Sequence, residues 1–164
     1  MDKPAMTASM RVSISEVLEQ MFFLPIDIMD REEKRASADW NNQKAITVSV
    51  AFEGSPSGTF LLTIPHDLAT SITADFLGVL PESLSTEQVI GTVKEMINML
   101  AGNALSTYDP ECAFNLRIPE VISGAYGNIS SISDESIEIA IETLDSSMTL
   151  QLSIAQYSAH AQTP

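Results

Sequence analysis

Cysteine is all but missing from this 164-residue chain, and its one thiol, Cys112, excludes an internal disulfide framework and any zinc site built from several thiolates. Histidine is almost as scarce. His66 and His160 leave too little for a histidine-centred metal site, and neither stands near a nucleophile motif of the serine-hydrolase kind. Positive charge is thin as well: 8 Lys and Arg stand against 22 Asp and Glu, a formal net charge of −14. That balance argues against a nucleic-acid surface, which needs clustered cations to track phosphates. No apolar run approaches the ~20 residues of a membrane span, and Met1-Asp2-Lys3-Pro4 lacks the charged and greasy blocks of a secretory signal. The expectation is a soluble, cytoplasmic chain with no metal or cofactor of its own.

What the chain does have is apolar patterning. Hydrophobic residues make up 45% of it, too many for a chain that never collapses and enough, at this length, for one sizeable core. Residues 1–11 show no usable periodicity and the tail 158–164 is small and polar, so both ends are expected to be flexible, around a single domain at 12–157. Within it, residues 13–24 place Ile14, Val17, Leu18, Met21 and Leu24 on one helical stripe, with Pro25 as a stop. Residues 26–44 read as a charged, irregular connector around Trp40. The period then drops to two: Ile46, Val48, Val50 and Phe52, the turn-rich Gly54-Ser55-Pro56-Ser57-Gly58, then Phe60, Leu62 and Ile64, a hairpin.

A helix is predicted over 65–77, closed by Gly78 and Pro81. A longer one runs from about Thr86 to Ser106, opened by Ser85 and Gln88 as a capping box. Three strands follow, near 114–122 with Pro119 marking an edge or bulge, at 136–144 and at 148–155, the last two joined by a turn at Asp145-Ser146-Ser147. This order of elements predicts an α+β fold, an antiparallel or mixed sheet with the long helices packed on one side. It also looks duplicated: EVLEQM at 16–21 overlays EMINML at 95–100, and each precedes a set of strands.

The long helix carries the candidate site. At about 100° per residue, Val89, Ile90, Val93, Met96, Ile97, Leu100, Ala101, Ala104 and Leu105 form its core stripe. Gly91, Glu95, Asn98 and Gly102 fall together on the opposite face, with Glu95 and Asn98 side by side at a spacing of three. A glycine inside a helix costs about 1 kcal/mol relative to alanine. Here both lie away from the core, so what they offer is close approach to the helix surface. An acid and an amide between two such gaps suit docking; a plain solvated helical face is the other reading of the same spacing.

Glu95-Met96-Ile97-Asn98, extended through Met99-Leu100-Ala101-Gly102-Asn103-Ala104, resembles the Glu-x-x-Asn helix and following Gly-Asn-Ala of the CheC/CheX/FliY chemotaxis phosphatases. Residues 15–23 are similar to the opening helix of CheX-like members, and the resemblance extends over nearly all of 12–157. It implies a CheC-like fold and a phosphatase acting on the phospho-aspartate of a CheY-like response regulator. By this resemblance Glu95 would be the docking anchor and Asn98 would position the attacking water; Gly91 and Gly102, from the spacing above, would flank the docked partner. Mg²⁺ is expected on the regulator, not on this chain, and pairing of two copies through their sheets is expected by analogy. In the first helix Glu16 aligns with Glu95 but Glu19 stands where Asn98 does, so Glu16 and Glu19 read as a degenerate second site. Two positions depart from the family pattern. Gly91 replaces an expected Asp or Ser, and Pro119 falls slightly short of the usual spacing from Asn98. The alternatives are an adaptor that binds a response regulator without hydrolysis, or a dimerisation module on the same fold.

Other chemistry-bearing residues receive plainer assignments. His66 reads as a first-turn surface residue, Cys112 as a small residue at the start of a strand, and Met96 and Met99 as core and core-edge. Asp30, Glu32 and Glu33 lack calcium-loop spacing and read as part of a solvated connector, and Asp134-Glu135 as a loop. Phe22 and Phe23 cannot both face the core, so one must cover a neighbouring loop or a contact with another chain.

Overall fold

The computed structural model describes residues 1–29, 44–122 and 136–155. Residues 30–43 of the connector, with Trp40 and the acids Asp30, Glu32 and Glu33, together with Asp134-Glu135 and the tail 158–164, lie outside them.

The first helix starts earlier than its sequence suggested. α1 spans Lys3–Ile14 and runs on, without a break, into a wider π-type segment at Ser15–Met21. Asp2 caps it, accepting from the Ala5 N–H at 3.3 Å, and Pro4 sits in the first turn, where a missing N–H costs nothing. Met6, Met10 and Ile14 recur every four residues and are fully buried. The expected flexible stretch 1–11 is therefore corrected to helix from Lys3 onward. The stripe was faint because the residues between, Thr7, Ala8 and Ser9, are small and contrast weakly with methionine.

The remaining elements are β1 (Asp27–Met29), β2 (Ala45–Glu53), β3 (Gly58–Pro65), α2 (His66–Leu77), a 3₁₀ turn at Pro81–Ser83, α3 (Thr86–Tyr108), β4 (Asn115–Leu116), β5 (Glu120–Val121), β6 (Ile137–Glu142) and β7 (Ser147–Ile154). They form one seven-stranded sheet in the order β1-β6-β7-β3-β2-β4, with β5 also on β2. Every pairing is antiparallel. Two expectations change here. The connector contains β1, three residues paired along β6. The strand near 114–122 is two short pieces on β2, interrupted around Pro119, which has no N–H to give a ladder. Cys112 accordingly lies in the turn before β4, half-buried, its N–H on the Asp109 carbonyl.

The sheet order makes the duplication visible. Hairpin β2–β3 and hairpin β6–β7 meet at the centre, where β3 pairs with β7. The short β1, which follows α1, borders the second hairpin; β4 and β5, which follow α3, border the first. Each half thus lends its edge strands to the other, which makes the two repeats one folding unit. Alternate residues of the central strands, among them Val48, Val50, Phe60, Leu62, Ile139, Leu150 and Leu152, are buried and join α1 and α3 in a single core. At roughly 1.5–3 kcal/mol for each large aliphatic side chain, this shared layer dominates stability.

Candidate functional site

α3 begins with the predicted capping box. The Gln88 N–H donates to Ser85 Oγ at 3.2 Å, and the Ser85 N–H donates to Gln88 Oε1 at 2.9 Å. The cap fixes the register of the first turn. The core stripe is buried as patterned except at Ile90, which is half-buried; Thr92 is buried in its vicinity, its hydroxyl donating to the Gln88 carbonyl at 3.1 Å. Met96 is fully buried and Met99 packs at the edge of the core.

With the stripe held inward, the opposite face is carried outward. Glu95 and Gly91 are exposed, while Asn98 and Gly102 are half-buried. No hydrogen bond or ion pair among the described residues engages the side chain of Glu95 or of Asn98. A Cβ at Gly91 would meet nothing within 4 Å, so this gap opens to solvent. A Cβ at Gly102 would lie 3.5 Å from the Leu116 side chain of β4, an ordinary contact, so the space beside Gly102 is bordered by the chain's own edge strand.

The corresponding acids of α1 are placed differently. Glu16 accepts a hydrogen bond from the Asn103 amide at 2.8 Å, and Thr107 Oγ1 donates to the Asn103 carbonyl oxygen at 3.3 Å, which sets the direction of that amide. Glu19 accepts from the Ser15 hydroxyl. α1 and α3 are antiparallel neighbours: the Asp2 N–H reaches Tyr108 Oη (3.1 Å), and the buried Ser13 hydroxyl donates to the Leu100 carbonyl (2.8 Å). Laying EVLEQM on EMINML pairs Glu16 with Glu95 and Leu24 with Asn103. The counterpart of Asn103 in that overlay is therefore Leu24, an aliphatic residue with no side-chain donor to offer an acid. The duplicated helices thus use equivalent acids unequally, one to bind its neighbour and one left open. Asn103 belongs to the sequence block already singled out, but its tie to Glu16, 87 residues away, is set by helix packing alone.

The other candidates fall into place around this. His66 opens α2, half-buried, with its ring 3.5 Å from Thr70 Oγ1. Phe22 is buried and Phe23 exposed. Among the described residues no cluster of His, Cys, Asp and Glu stands ready to hold a metal, and no helix is long and apolar enough to cross a membrane.

Among the described residues, three helices on a seven-stranded antiparallel sheet, with α1 and α3 as duplicated neighbours, define the CheC/CheX-like fold. The solved structure of chemotaxis protein CheX from Vibrio vulnificus superposes with a TM-score of 0.71 at 20% identity, covering 92% of this chain and 96% of that one. A chain of the CheX-CheY-BeF3-Mg complex from Borrelia burgdorferi gives 0.70 at 17% identity, covering 92% and 97%. A CheC-like superfamily protein from Shewanella sp. PV-4 gives 0.69 at 20%, covering 95% and 100%. Among curated protein sequences none matches. The family model of the chemotaxis phosphatase CheX matches residues 46–142, and the chain belongs to that family.

Proposed function

We propose that this chain is a phosphatase for the aspartyl phosphate of a CheY-like response regulator, with Glu95 as the docking anchor and Asn98 as the group that positions water. One observation carries the reading: within a CheX-family fold, the acid and amide of α3 face outward unengaged, whereas the equivalent acids of α1 are tied to the protein itself. A relative in this fold has been solved in a CheX-CheY-BeF3-Mg complex, which supports a receiver as the partner.

The chemistry asks little of the helper. An acyl phosphate is already activated, and the receiver is expected to bring its own Mg²⁺ and lysine to neutralise charge. What remains is to place a water in line with the breaking bond. The Asn98 carboxamide can accept a hydrogen bond from that water through its oxygen and donate one to a phosphoryl oxygen through its NH₂. Water oxygen bonds to phosphorus, the bond from phosphorus to the aspartate oxygen breaks, and inorganic phosphate and a free carboxylate result. A carboxylate at position 98 would repel the phosphoryl anion. Glu95 pairs with a receiver lysine, and a charge pair of this kind also speeds encounter for a chain of net charge −14. Pairing of two copies is part of the proposal by analogy with CheX relatives.

The test follows phosphate loss from a phosphorylated receiver. Asn98→Ala is expected to lose rate by about 100-fold or more while binding is kept, on the scale of other single-group positioning and electrostatic losses. Glu95→Ala is expected to bind poorly. Binding without acceleration by the native chain would replace this reading with the adaptor, and absence of binding would replace it with the dimerisation module.

A further inference from the structure

The end of α1 carries an unusual residue. Phe23 has φ 53°, the one non-glycine residue with positive φ among those described, and it is 83% exposed. It occupies the position just past a helix end where the chain turns left-handed, closed by the Leu24 N–H on the Leu18 carbonyl at 2.9 Å. Glycine is the usual occupant there, because a Cβ is strained at this φ. The same chain follows that rule at the end of α2, where Gly78 has φ 65° and the Val79 N–H closes on the Ala74 carbonyl at 3.0 Å. At position 23 a bulky aromatic is held in a strained backbone and pointed at solvent, so the strain is not repaid by burial in this molecule.

Phe23 is not isolated. Its neighbour Phe22 stacks on Phe76 with ring centroids 5.0 Å apart, which joins the end of α1 to the end of α2. Around that joint Met21 (49% exposed), Phe76, Leu77, Val79 and Leu80 (72% exposed) are all exposed. The patch also has a defined place beside the site. α1 runs antiparallel to α3, with Asp2 at Tyr108 and Ser13 at Leu100, so the chain beyond Ser13 heads toward the N-terminal half of α3, which bears Gly91 and Glu95. In the overlay of the two repeats Leu24, next to Phe23, is the counterpart of Asn103, the residue that binds the equivalent acid Glu16.

Charge indicates what covers the patch. Glu19, Asp75 and Glu82, the charges within its segments, are exposed and all acidic. No Lys or Arg occurs between residues 12 and 30 or between 45 and 93. A second copy of this chain placed symmetrically on the patch would set acid against acid. A partner with apolar surface flanked by Lys or Arg fits it.

We infer that Met21, Phe23, Phe76, Leu77 and Leu80 form a second docking contact for the receiver protein, gripping apolar surface with basic flanks while Glu95 and Asn98 engage the phosphorylated end. This rests on the function proposed above. Phe23 is a docking residue, kept at a position where glycine would fold better.

The test uses the full chain and a phosphorylated CheY-like receiver, comparing native protein, Phe23→Gly and Leu80→Ser. Phe23→Gly is expected to melt at the same or a higher temperature, yet to raise the KM for receiver about tenfold, on the scale of an aromatic interface anchor; the rate at saturating receiver should fall far less. Leu80→Ser should raise KM in the same direction. Native-like KM in Phe23→Gly, with the native chain active, overturns this inference alone. A native chain that neither binds nor dephosphorylates the receiver overturns the proposed function and this inference with it. Sedimentation showing native self-association that Phe23→Gly abolishes would assign the patch to a second copy and overturn the receiver assignment.

Discussion

The Asn103 side chain donates to Glu16 at 2.8 Å, from α3 across to α1, so the acid that duplication sets equivalent to Glu95 is spent on holding the two helices together. With Glu19 accepting from Ser15 on the same helix, the α1 copy of the motif is satisfied by its own chain. That division gives a physical account of why a doubled fold presents a single candidate site.

Removing this tie should separate structure from activity. Asn103→Leu is expected to lower stability by about 1 kcal/mol or less, since the bond is on the surface and water replaces part of it. Receiver dephosphorylation should persist, because Glu95 and Asn98 are untouched. Denaturant midpoints together with phosphate-release rates check both halves.

The degenerate copy makes a sharper point. Glu19→Asn recreates the Glu-x-x-Asn spacing on α1, yet the expected stoichiometry remains one receiver per chain, because Glu16 is still held by Asn103. Glu19→Asn combined with Asn103→Leu frees that acid and should add a weak second binding event, read by titration calorimetry. The two positions belong to one network, so their effects should not be additive.

Two glycines should respond to alanine with opposite signs. At Gly91 a Cβ meets nothing, and Gly91→Ala is expected to stabilise by about 1 kcal/mol, roughly 2–4 °C in Tm for a domain of this size. At Gly58 the same atom would lie 2.5 Å from the Ser153 carbonyl and 2.9 Å from the Phe52 ring. Gly58→Ala must therefore shift β7 or the ring, at a cost of about 1–3 kcal/mol. Thermal melts of the two variants decide the matter.

Much of this was legible in the residues themselves. The period-two runs at 46–52 and 60–64 became β2 and β3, and the Ser85–Gln88 cap and its stripe became α3, because burial and capping act within a few residues of sequence. The outward direction of Glu95 followed from the same stripe. The start of α1 was missed because methionines among small polar residues give a weak period, and β1 because three residues on an edge take their conformation from β6. The break in the strand near Pro119 could be anticipated; that its two halves both lie on β2 could not.

The sequence alone determined which helical face is buried and that an acid and an amide share the face left over, since helical periodicity needs no knowledge of neighbours. Tertiary structure decided that Glu16 is bound while Glu95 is open, and that Phe22 is buried against Phe76 while Phe23 stands exposed. Those outcomes depend on which residues packing brings together across 87 positions of chain, and no local pattern encodes such a meeting.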